Sequence, residues 1–196
     1  DAAVVMVVEQ LARILDELPR DDHRHYIHHV AVKPPAETIA RMAELGIGVA
    51  SQPAFTVGLG AYAVESLTAE REATMNPTKS LLDAGVRVGW GSDGAPHGPR
   101  VSLWTGVTRK GWDGRVYGPE EAVSREEAVR LHTLAPAWQT FDEEVKGTIE
   151  PGKLADFVIL GEDYFTVDAD RIRYLPILET IVEGRTIFRS EQQPGP

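Results

Sequence analysis

The chain has 196 residues, 42% hydrophobic and 26% charged, enough for one domain or one and a fraction. A net charge of -10 with no basic patch to offset it argues against nucleic acid or an anionic membrane as the main partner, and no apolar run approaches the ~20 residues of a membrane span. With no cysteine, disulfides, thiolate metal sites and cysteine nucleophiles are excluded, while the compartment stays open and is cytoplasmic only by default.

Residues 1–18 carry apolar side chains at Val4, Val8, Leu11, Leu15 and Leu18, a helical stripe with Asp1 placed to cap its start. After the break at Pro19, the run from His23 to Val32 reads as a strand. It holds four of the six histidines. Period-two alternation sets His28 and His29 on opposite faces, so at most one points inward, and a lone strand histidine is more often structural than a ligand. Residues 35–45 predict a helix stopped by Gly46. Ile47 to Ser51 predicts a buried strand, with Gln52 at its C-terminal end. Residues 56–76 show no periodicity and read as a long loop with a partial helix.

A helix over 77–84 then feeds the strand Val86–Trp90, which breaks into a Gly/Pro-rich loop at Gly91-Ser92-Asp93. Asp93 thus sits where a strand ends, the rim from which a β/α barrel projects catalytic groups. A carboxylate there can bind a metal, accept a proton, or close the strand as an Asx turn. Residues 1–93 therefore predict repeated parallel β/α units, with His29, Gln52 and Asp93 each near a strand's C-terminal end.

Further on, a helix is expected over 101–110, and Ser124-Arg125-Glu126-Glu127 forms a capping box opening a helix that Ala135-Pro136 ends. His132 on that helix reads as a packing or surface residue. The register then changes. Residues 154–160 predict a strand and residues 179–188 a hairpin turning at Glu183-Gly184, a small β module after the α/β part.

Four segments together resemble a known family. They are His25-Tyr26-Ile27-His28-His29, Leu45 to Pro53 (LGIGVASQP), Gly91-Ser92-Asp93, and Gly147 to Val158 (GTIEPGKLADFV). In order and spacing they resemble the C-terminal portion of the amidohydrolase superfamily, most closely the amidohydrolase-3 branch of YtcJ-like metal-dependent hydrolases. The resemblance implies an α/β fold: the last units of a (β/α)8 TIM barrel over 1–144, a small β-sandwich module over 145–190 and a tail over 191–196. It implies a divalent metal, zinc by preference, with His29 as the sixth-strand ligand and Asp93 as the eighth-strand ligand and general base. The resemblance also implies hydrolysis of a C–N bond in a small amide-like substrate. Gln52, Trp90 and His97 are added as pocket-wall candidates from their places near the strand ends, and the resemblance itself gives His97 no role.

The departures are also informative. The family's usual Glu before that histidine is His28 here, and Gly94 is inserted before Ala95-Pro96. No residue matches the family's first-, fourth- and fifth-strand ligands. Asp1 to Val4 resembles the residues directly after the family's fifth-strand histidine, so a chain truncated at its N-terminus is expected. Such a piece would expose barrel edges and self-associate. The competing reading is a non-catalytic binding or assembly module derived from the same fold.

Overall fold

The computed structural model describes residues 1–94 and 98–191, apart from the side chains of residues 59–64. Its centre is a parallel sheet of β1 (Tyr26–His28), β2 (Gly48–Ser51) and β3 (Val88–Trp90), in the order β1-β2-β3. Ile27, Val49 and Val88 share one face through the register Ile27↔Val49↔Val88. Val49 and Val88 are buried with Met42 and Leu81 under the helices, each such side chain contributing ~1.5–3 kcal/mol of burial. His28, Ala50 and Gly89 share the other face.

The crossover from β1 to β2 is α2 (Ala36–Leu45), closed by Gly46 at φ 70° as its sequence requires. α1 (Ala2–Glu17) packs against α2, and Asp1 caps it by accepting the Ala2 N–H at 2.8 Å. The expected strand over 23–32 is only three residues long. Left-handed Arg24 on one side, and His29 and Val30 on the other, cannot continue a pleat.

Residues 56–76 are more ordered than expected, forming α3 (Ala54–Ser66) and α4 (Ala69–Ala73). The sequence of α3, AFTVGLGAYAVES, has no polar stripe, so no helical period shows in it. Next come α5 (Thr78–Asp83), α6 (Pro99–Thr108), α7 (Arg125–His132) and α8 (Leu134–Gln139). Pro136 does not end a helix but sits in the first turn of α8, where its missing N–H costs nothing; the break is at Thr133.

The β module is an antiparallel sheet of β4 (Phe157–Leu160), β5 (Ile177–Val182) and β6 (Arg185–Arg189). Glu183 and Gly184, at φ 50° and 73°, make the expected two-residue turn. The module is tied to α6, where Arg100 Nη1 donates to the Leu175 carbonyl at 2.6 Å and Trp104 packs with Ile172 and Leu175. No helix among the described residues is long and apolar enough to cross a membrane.

Candidate active site

Because the three strands are parallel, their C-terminal ends share one rim, and His29, Gln52 and Asp93 all lie just beyond them there. The ladder runs one residue past the strands: the His29 N–H donates to Ala50 O at 2.8 Å and the Gly91 N–H to Ser51 O at 3.0 Å. Both candidate ligands then leave the sheet in left-handed backbone, His29 at φ 70° and Asp93 at φ 51°. Non-glycine residues in that region carry strain of ~1–3 kcal/mol each, and such strain gathers at functional sites.

The segment beyond His29 is braced from behind. The Asn76 N–H donates to Ala31 O at 3.0 Å, and the Lys33 N–H to Thr74 O at 3.1 Å. Arg109, 1% exposed, in turn donates from Nη2 to Met75 O at 2.6 Å and from Nε to Tyr117 O at 2.9 Å. Burial pulls the Arg109 guanidinium down to about 10. Nothing in the local sequence marks this arginine, since its partners are main-chain carbonyls, which carry no side-chain signal.

A cavity of about 400 Å³ opens at the rim, lined by His28, His29, Gln52, Asp93, Gly89 and Gln139 among others. His29 Nδ1 lies 2.7 Å from Gln52 Oε1, while Gln52 Nε2 donates to Ala50 O at 3.2 Å. The Phe55 ring stacks on the imidazole with centroids 5.8 Å apart. Gln52 is buried, whereas the side chains of His29 and Asp93 are exposed. No hydrogen bond or ion pair engages the Asp93 carboxylate among the described residues.

The opposite-face expectation for His28 and His29 fails. Both line the cavity, with ring centroids 6.0 Å apart, because the left-handed turn at His29 ends the alternation. His23 is engaged at both ring nitrogens: Nε2 donates to Leu45 O at 2.7 Å and Nδ1 accepts the His25 N–H at 2.9 Å. Trp90 borders the cavity, but its ring is turned to the helices: Nε1 donates to Thr78 Oγ1 at 3.4 Å, and the ring meets His132 edge-on at 5.5 Å. His97 lies outside the described residues.

Gln139 carries no signal of its own in the sequence. It reaches in from α8 and donates from Nε2 to Val49 O at 2.8 Å. The available clue is Gly89, a glycine in an apolar strand, where a Cβ would run into the Gln139 amide.

Chemically, the rim offers an imidazole and a carboxylate, donor types that zinc accepts. Among the described residues no group of three or more His, Cys, Asp or Glu side chains could hold a metal ion, so this pair fits part of a ligand set.

Comparison with known proteins places the chain in a family. The model of the amidohydrolase family, Amidohydro_3, matches residues 1–188. The chain is 34% identical over 147 residues to an N-substituted formamide deformylase of Arthrobacter pascens, covering 74% of this chain and 27% of that protein. It is 27% identical over 189 residues to the putative amidohydrolase YtcJ of Bacillus subtilis, covering 93% of this chain and 36% of that one. The chain thus spans roughly a third of the length of these relatives. Among solved structures, a metal-dependent hydrolase from Pyrococcus furiosus superposes with a TM-score of 0.63 at 27% identity, covering 81% of this chain and 32% of that one. The chain therefore belongs to the amidohydrolase family, in its YtcJ-like branch.

Proposed function

We propose that the protein carrying this chain hydrolyses a C–N bond of a small amide-like substrate, with His29 and Asp93 as metal ligands and Asp93 as general base. One observation carries the reading: an imidazole and a carboxylate, both on strained backbone, line one cavity at the ends of parallel strands in an amidohydrolase-family chain. A bound divalent metal, zinc by these donor types, would polarise the carbonyl and make water acidic enough to ionise near neutral pH. The Asp93 carboxylate takes the proton of the attacking water and hands it to the leaving nitrogen, so the C–N bond breaks to a carboxylate and an amine. Trp90 is kept as a residue that borders the pocket.

The remaining ligands would come from outside the described residues, so the isolated 196-residue chain is expected to be inactive. Among the described residues β1 and β3 are the edges of their sheet, and such edges would then favour self-association. The same shortage of ligands supports a second reading, a non-catalytic binding or assembly module.

The A. pascens relative makes N-substituted formamides the first substrates to try, with formate release as the readout. Asp93→Asn in the protein carrying this chain is expected to lose ~10²–10⁴-fold in rate with its circular dichroism unchanged. A variant with wild-type rate would overturn the role of Asp93. A wild-type protein that binds amides yet releases no product with zinc present would favour the binding module.

A further inference from the structure

We infer that Gln52, which the sequence offers as a substrate contact, is instead a positioning residue that sets the tautomer of His29. This inference rests on the proposed role of His29 as a ligand. The hydrogen bonds around Ala50 form a closed ring. Ala50 O accepts the His29 main-chain N–H at 2.8 Å and Gln52 Nε2 at 3.2 Å, and Gln52 Oε1 faces His29 Nδ1 at 2.7 Å.

This ring fixes the direction of each bond. Flipping the Gln52 amide would set Oε1 against the Ala50 carbonyl, two acceptors at hydrogen-bond distance, and would cost a buried amide its partner. The amide is therefore oriented with Oε1 toward the imidazole. An amide oxygen only accepts, so His29 Nδ1 carries the proton and donates it. The lone pair of the neutral ring is then on Nε2, the nitrogen left for a ligand. Phe55, stacked at 5.8 Å, holds the ring plane.

Gln52 can do this because it is itself fixed, 5% exposed, with both ends of its amide engaged. One side chain thus pins both the main-chain partner and the ring nitrogen of a residue held at φ 70°. Outer hydrogen bonds of this kind orient a metal-binding imidazole and raise its basicity, and their loss typically weakens metal binding ~10–100-fold.

The test uses the protein carrying this chain, with zinc alone as probe in a chelator competition, and ¹⁵N-histidine NMR of the metal-free protein assigned with His29→Gln. Gln52→Met keeps the volume and removes the acceptor. Ala50 O keeps the His29 N–H and the exposed ring can turn to water, so the fold should survive, as melting will show. Zinc affinity should fall ~10–100-fold in Gln52→Met, and less in Gln52→Glu, which keeps an acceptor for Nδ1 but loses the bond to Ala50 O. The His29 ¹⁵N signals should report Nδ1–H in the wild type and a mixture of tautomers in Gln52→Met.

Wild-type zinc affinity in Gln52→Met, with His29→Ala unable to bind, would overturn the positioning role and leave the metal site standing. Wild-type affinity in His29→Ala would overturn the metal site. The tautomer still decides on Gln52 in that case: a wild-type His29 without a fixed Nδ1–H contradicts the inference.

Discussion

At the scale of single residues, the rim and the core beneath it make opposite demands on histidine. His29 is exposed at the cavity, while His132, under Trp90, is half-buried, with its Nε2 shut off from solvent and lacking a partner among the described residues. Burial pushes His132 down to about 4. The unfolded chain, with an ordinary histidine near 6.5, therefore binds a proton between about pH 6.5 and 4 that the folded chain refuses, so stability falls as pH drops through that window. By pH 5 the loss from this one group is on the order of 2 kcal/mol relative to pH 7. His132→Leu should lose that much less stability than the wild type between pH 7 and pH 5 in urea unfolding. Equal acid sensitivity of the two proteins would refute the assignment. His29, Gln52 and Asp93 are legible in the sequence because the end of a parallel strand marks the rim whatever the tertiary detail. Gln139 and Arg109 are not, since each acts through main-chain carbonyls, which carry no side-chain signal: Gln139 on Val49, and Arg109 on Met75 and Tyr117.

Among the elements, those with local chemistry of their own are the ones the sequence identifies. The α7 capping box forms as written: Ser124 Oγ accepts the Glu127 N–H at 3.1 Å, and Glu127 Oε2 accepts the Ser124 N–H at 2.7 Å. Ser124→Ala removes one side of that exchange at an exposed helix start and should cost ~1 kcal/mol, read as a lower urea midpoint with an unchanged slope. No shift in midpoint would mean that α7 is held by packing alone. The β5–β6 hairpin is equally legible, because Glu183-Gly184 takes the left-handed pair its turn needs. Elements without such signals mislead. The mostly apolar α3 hides its period, β1 is cut short by left-handed residues at both ends, and Pro136 falls where a helix tolerates proline.

Over the whole molecule, the rim depends on three strands being held at fixed register, with the apolar core of Met42, Val49, Leu81 and Val88 packed on one face. The other face carries His28, Ala50 and Gly89 and meets Gln139 from α8. The net charge of -10 is spread over the chain and does not by itself designate a ligand. The rim takes its chemistry from the placement of one imidazole and one carboxylate, and a ligand set of at least three is what zinc requires. The most direct measurement is an anomalous difference map at the zinc edge from crystals of the protein carrying this chain, grown with zinc. A peak is expected ~2.0–2.2 Å from both His29 Nε2 and an Asp93 carboxylate oxygen. A zinc peak coordinated by neither residue, or bonded to His29 through Nδ1, would contradict that coordination.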